Sequence, residues 1–145
     1  MKDIIVQSLK QVSLQDNDKR IHVDCPQGTL YVNVDFYMIT QALKNIVHNA
    51  LVHGPEGGRI DIHVRLLDQK IRISVVDQGE GISKETLAKI FDKFYRGAQT
   101  KRGGLGLGLS IARRFVQLNE GDIQAENLSP KGFMVTITLP MVDKE

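Results

Sequence analysis

Four glycines fall within residues 103–108 of this 145-residue chain, in the run Arg102-Gly-Gly-Leu-Gly-Leu-Gly-Leu-Ser110-Ile111. Glycine lets a backbone approach a ligand closely and adopt dihedral angles closed to other residues. The run leads straight into residues 110–118, whose pattern is helical. A helix start offers free N–H groups and the positive end of a dipole, so the joint suits an anion, phosphate above all. No Gly-Lys-Ser/Thr follows the first glycine at the Walker distance, and alternating glycines followed by Leu109 fail the dinucleotide fingerprint. A flexible linker is the plain alternative, but linkers are not threaded with leucines.

Three other stretches carry polar groups at suggestive spacing. Asn45 and Asn49 stand one helical turn apart, with His53 a further turn along. Asparagine competes for its own backbone in a helix, so this pair beside an apolar face reads either as functional or as two surface amides. Asp77-Gln-Gly79-Glu-Gly81-Ile82 sets two glycines around an acid just after a strand, as in a loop that wraps a ligand. A calcium loop needs more oxygen ligands at fixed spacing. The link from Phe91 to Arg102 carries Lys93, Arg96, Lys101 and Arg102 against Asp92 alone. With Phe91 and Phe94 to pin its start, it has the composition of a lid or of a solvated basic loop.

The elements that must position these groups follow from periodicity. Residues 36–52 form the clearest helix: Ile39, Ala42, Leu43, Ile46, Val47 and Ala50 make one apolar face, Asp35 is the expected N-cap, and Gly54-Pro55 ends it. Residues 59–66 and 70–76 alternate as strands around Asp68-Gln69, a natural hairpin. Ser83 is the expected cap of a helix over 84–91. Strands are expected over 21–23, 30–34, 122–125 and 133–139, and a looser helical stripe over 3–15. Hairpins dominate the pairing, which favours a mixed sheet with helices on one face over a parallel doubly wound sheet.

Bulk properties narrow the classes. The length fits one domain, able to bury about two-thirds of its unfolded surface. A net charge of +2 does not imply nucleic acid or an anionic membrane as main partner. The single Cys25 excludes an internal disulfide and a cysteine-cluster metal site. No apolar run is long enough to span a bilayer and the start lacks a signal-type apolar region, so a soluble, cytoplasmic chain without direct membrane contact is expected.

Together these stretches resemble the catalytic ATP-binding domain of sensor histidine kinases, in the superfamily that includes gyrase-type and MutL-type ATPases. Four blocks match in the family's order: Asn45-Ile-Val-His-Asn49-Ala50 as the asparagine box, residues 77–82 as the first glycine box, Phe91-Asp-Lys-Phe94-Tyr95-Arg96 as the phenylalanine box, and residues 104–109 as the second glycine box. The resemblance covers nearly the whole chain. It implies an α+β fold of the Bergerat ATP-binding type: a two-layer α/β sandwich with a mixed, mostly antiparallel sheet covered on one face by helices. It also implies residues 1–145 as a single catalytic domain detached from its histidine-bearing dimerisation domain, in a full-length protein that could be membrane-anchored.

For the site, the resemblance implies MgATP between the asparagine-box helix and the lid. Asn49 would ligate magnesium and Asp77 would accept a hydrogen bond from the adenine amino group. Gly79 and Gly81 would let the backbone pass the base, with Ile82 packed near it and His53 at an often aromatic position. Tyr95 and Arg96 would reach the nucleotide from the lid, and the backbone amides of Gly104, Leu105, Gly106, Leu107, Gly108 and Leu109 would hold its phosphates. Val52 stands where a Lys or Arg is usual, leaving more to Lys93 or Arg96. Asn119 replaces a common histidine, with little consequence expected. The lid from Phe94 to Gly103 is expected to be poorly ordered without nucleotide.

No histidine of the chain has the phosphoacceptor setting, so the accepting histidine would come from a partner domain, with a response regulator downstream. Related ATPases carry Glu at the position of Asn45, as a base for water. Asn45 cannot accept a proton at neutral pH, whereas an imidazole is already nucleophilic there. Phosphoryl transfer to histidine is therefore favoured over the two alternatives, an ATPase of the same fold and a non-catalytic nucleotide-sensing module.

Overall fold

Alternating β-branched residues build the centre of the molecule. The computed structural model describes residues 4–5, 8–10, 20–28, 30–92 and 108–141. In it β1 (Ile21–Asp24), β2 (Ile60–Leu67), β3 (Lys70–Asp77), β4 (Asp122–Asn127) and β5 (Phe133–Pro140) form one sheet in the order β1-β2-β3-β5-β4. β1 pairs parallel to β2, with Ile21 opposite Ile60. The other three pairings are antiparallel. The β2–β3 hairpin turns on Asp68 and Gln69, both left-handed with φ of 52° and 60°, the backbone a two-residue turn between twisted strands requires.

One face of the sheet is apolar and covered. Ile60, Ile62 and Val64 of β2, Ile71, Ile73 and Val75 of β3, and Val135, Ile137 and Leu139 of β5 are all buried. Against them lies α1 (Phe36–His53), which buries the six apolar residues of its predicted stripe, together with Leu109, Ala112 and Val116 of α3 (Gly108–Leu118). Each fully buried Ile, Leu or Val contributes about 1.5–3 kcal/mol of transfer free energy. Between the same strands' core residues stand His63, Arg65, Arg72, Ser74 and Thr136, with the apolar Val76 and Met134, all half-buried or exposed, so the second face is the more polar and more accessible one. The result is the expected α+β sandwich of two layers.

Three expectations are adjusted. Residues 30–34 do not form a strand. Leu30, Val32 and Val34 pack against the core, but Val32 makes only an isolated bridge to Met141, just past β5. Apolar alternation was satisfied there by packing, without a neighbouring strand to complete a ladder. The helix expected over 84–91 is α2 (Lys84–Lys89), capped by Ser83, whose hydroxyl accepts from the Thr86 N–H at 3.1 Å. Of the stripe expected over 3–15, Ile4, Ile5 and residues 8–10 are helical, and the remainder lies outside the described residues.

Asn119 is a further correction. Its Oδ1 accepts from the Asp35 N–H at 2.7 Å, and its Nδ2 donates to the Phe115 carbonyl at 2.8 Å. One amide thus closes the end of α3 and grips the start of α1, where Asp35 caps the helix by accepting from Met38 N–H at 2.9 Å. Asn119→Ala leaves both backbone groups without that partner. It is expected to lower stability by about 1–2 kcal/mol, read as a reduced urea midpoint at unchanged slope.

Candidate functional site

The apolar stripe of α1 fixes what stands at its margin. Because Ile46, Val47 and Ala50 are held in the core, Asn45 and Asn49 fall one turn apart and half-buried, with His53 closing the helix. Among the described residues neither amide takes a hydrogen-bond partner. The first residue of α3 comes close by: a Cβ on Gly108 would meet the Asn45 Cβ at 3.9 Å. Leu109 turns its side chain into the core, leaving the backbone of this first turn beside the asparagine face.

Asp77 ends β3 and is 4% exposed, the one buried acidic residue among the described residues. Its Oδ1 accepts from the Gly79 N–H at 2.7 Å, while Oδ2 takes no partner among the described residues. Burial raises its pKa, against smaller lowering effects of the Gly79 N–H and of His53. Burial also lowers the pKa of His53, opposed by the charge of Asp77. Two glycines make room for the carboxylate. A Cβ on Gly54 would lie 2.7 Å from the Ala50 carbonyl and 3.2 Å from the Asp77 Cβ, and one on Gly79 3.0 Å from Asp77 Oδ1.

The loop after Asp77 is tied down by the β4–β5 connection. The Gly132 N–H donates to the Gly79 carbonyl at 2.7 Å. Asn127 engages Ile82 twice: Oδ1 accepts from its N–H at 2.9 Å, and Nδ2 donates to its carbonyl at 2.7 Å. Gly81 between them has φ +87°, and any Cβ there would collide with the Asn127 amide. Neither Asn127 nor Gly132 was singled out for the site from sequence. Both stand where β4 passes into β5, and no local pattern distinguishes them.

The structure therefore brings Asn45, Asn49, His53, Asp77, Gly79, Gly81, Ile82, Gly108 and Leu109 onto α1, the β3 end and loop, and the α3 start. Lys93, Tyr95, Arg96, Gly104, Leu105, Gly106 and Leu107, with the rest of the expected lid, lie outside the described residues. No group of three or more His, Cys, Asp or Glu side chains among the described residues could hold a metal. A hard cation that keeps waters and phosphate oxygens needs only one or two protein oxygens, and the unpartnered Asn49 amide fits that demand. No described helix is long and apolar enough to cross a membrane.

Comparison with known proteins gives the family and the fold. The family described as histidine kinase-, DNA gyrase B- and HSP90-like ATPase matches residues 35–143, and the chain belongs to it. It is similar to the sensor histidine kinase WalK of Bacillus subtilis (strain 168), 45% identical over 125 residues, which are 83% of this chain and 20% of that protein. Sporulation kinase D of the same organism is 37% identical over 144 residues, 97% of this chain and 28% of its own length. The chain thus spans under a third of these relatives. The mycobacterial sensor histidine kinase MprB superposes with a TM-score of 0.85 at 26% identity, over 99% of this chain and 97% of that one. The catalytic domain of histidine kinase ThkA, in a nucleotide-free form, gives 0.81 at 29% identity over 97% and 91%.

The buried carboxylate has a testable cost. With its pKa raised on folding, Asp77 binds its proton more tightly in the folded than in the unfolded chain. Its contribution therefore falls as pH climbs from the ordinary value of 3.8 through the raised one. Asp77→Asn keeps the acceptor for Gly79 and removes the charge. Urea titrations across the acid range are expected to show the wild type losing stability relative to this variant as pH rises.

Proposed function

We propose that this chain binds MgATP and donates its γ-phosphoryl group to a histidine on a separate dimerisation domain, as the first step of two-component signalling to a response regulator. The observation that carries the base-binding half is Asp77: a buried carboxylate with one oxygen fixed by Gly79 and the other open. In this reading Oδ2 accepts from the amino group of adenine. Guanine presents a carbonyl oxygen in that place, and two acceptors facing each other in a dry pocket repel. Ile82, packed against the core, forms an apolar wall for the ring.

The transfer half rests on Asn45 and Asn49. When bound, magnesium supplies charge neutralisation on the phosphates, and the Asn49 amide oxygen is the protein group to hold it. Backbone N–H groups of Gly108 and Leu109 begin a helix whose dipole favours the same anion. Asn45 has no basic group, so a water beside the γ-phosphorus is not deprotonated. A neutral imidazole needs no deprotonation: its nitrogen bonds to phosphorus as the bond to the β–γ bridging oxygen breaks, and ADP leaves. From the lid, Arg96 as a phosphate contact, with Lys93 and Tyr95, completes the proposed set.

Three measurements test this. MgATP at a hundred times its dissociation constant is expected to stabilise the chain by about 2.7 kcal/mol in a thermal melt. An equal shift with MgGTP refutes base selection by Asp77. Mixing with a matching histidine-bearing dimerisation domain and labelled ATP is expected to give an acid-labile, alkali-stable phosphate on that domain. Asn45→Glu is expected to raise ATP hydrolysis by up to about 10²–10⁴-fold at similar nucleotide affinity. Rapid hydrolysis by the wild-type chain without histidine labelling would transfer the assignment to an ATPase.

A further inference from the structure

Asn127 stands 45 residues from Ile82 in sequence, yet holds both of its backbone polar groups. A neighbouring strand would satisfy an extended residue in the same way, by taking its N–H and its carbonyl together. Among the described residues no strand reaches residues 78–82, and a side chain supplies both halves of the pairing. The amide is suited to this because it carries an acceptor and a donor on one rigid plane.

The sheet register gives this contact its meaning. Asn127 lies opposite Phe133 in the β4–β5 pair, and Phe133 lies opposite Asp77 in the β3–β5 pair. Residues directly opposite across a ladder point to the same face. Asn127, Phe133 and Asp77 therefore form one row at the end of the sheet, on the covered side, where Phe133 is buried. The residue that faces the adenine amino group and the residue that holds the Ile82 wall are two strands apart on one rigid frame. Gly132 fastens the near side of the same loop at Gly79. Gly81 completes the fit, since only a residue without a Cβ can pass the Asn127 amide with φ +87°.

We propose that Asn127 is a positioning residue for base recognition: by clamping Ile82 to the row that carries Asp77, it sets the width of the adenine slot. The inference rests on the nucleotide-binding reading above. Asn127 does not touch the base, and it acts through Ile82. Releasing the clamp frees the far wall while leaving the Asp77 carboxylate in place, so affinity and the discrimination between ATP and GTP fall together. General loss of fold would instead lower the melting temperature and leave the ratio of the two affinities unchanged in the folded protein.

The test is calorimetric titration of the 145-residue chain with MgATP and MgGTP, for wild type, Asn127→Ala and Asn127→Ser. Asn127→Ala removes two hydrogen bonds to the loop and is expected to weaken MgATP binding roughly tenfold and narrow the ATP-over-GTP ratio. Serine, which keeps a shorter donor and acceptor, is expected to fall between the two and serves if the alanine variant fails to fold. Hydrogen exchange without nucleotide is expected to show the Ile82 amide losing protection in the variants while amides of β3 keep theirs. Unchanged affinity and ratio in the variants, or a lower melting temperature with the ratio preserved, overturns the positioning role and leaves nucleotide binding standing. A wild-type chain that binds neither nucleotide overturns both.

Discussion

Everything around the candidate site answers to the cost of keeping one carboxylate out of water. An ionised group loses its hydration on burial and must recover it from fixed dipoles, or else take up a proton. Asp77 recovers part from the Gly79 N–H and part from the nearby imidazole of His53, yet burial still prevails. Among the described residues Oδ2 finds no donor, and a ligand that brings one gains more than it would in water. The neighbouring glycines follow from this. Gly54 and Gly79 let backbone close in on the carboxylate from two sides, where a methyl group would hold the dipoles at a distance.

The same economy governs α1. Its buried stripe anchors the sheet's covered face, so the helix cannot rotate without exposing Ile39, Leu43 and Ile46. Asn45 and Asn49 inherit that rigidity at no added expense, because their direction is set by residues three and four positions away. The Asn119 amide holds the far end of the helix to α3, so the α1 register is fixed at its start by hydrogen bonds and along its length by packing. Site geometry here is a by-product of core geometry.

How much of this was legible in the sequence depends on range. The α1 stripe, its Asp35 cap and the hairpin at Asp68-Gln69 are local patterns, read over a few residues, and the structure reproduces them. Asp68-Gln69 is legible as a turn from its place between two alternating runs, even though neither residue is the glycine that left-handed turns favour. Residues 30–34 misled because alternation reports one-sided burial, which packed coil also satisfies. The parallel β1–β2 pairing and the Asn119 and Asn127 contacts join residues far apart in the chain. Asparagine is common in turns for its own local reasons, and those hide such long-range bonds. Asp77 was legible as an acid in a glycine loop, but its burial needed the fold.

The strand order has a bearing on biosynthesis. β5 is last in sequence and lies fourth across the sheet, between β3 and β4. Asp77 emerges early, but the strand beside it and the connection that fastens its loop come from residues 127–133 and beyond. A chain leaving the ribosome therefore carries a complete α1 and β2–β3 hairpin long before the surroundings of Asp77 are complete. On the proposed reading, nucleotide would arrive too late to guide these early stages. Until the last hairpin has been inserted, the β3 edge is open to pairing with the wrong strand.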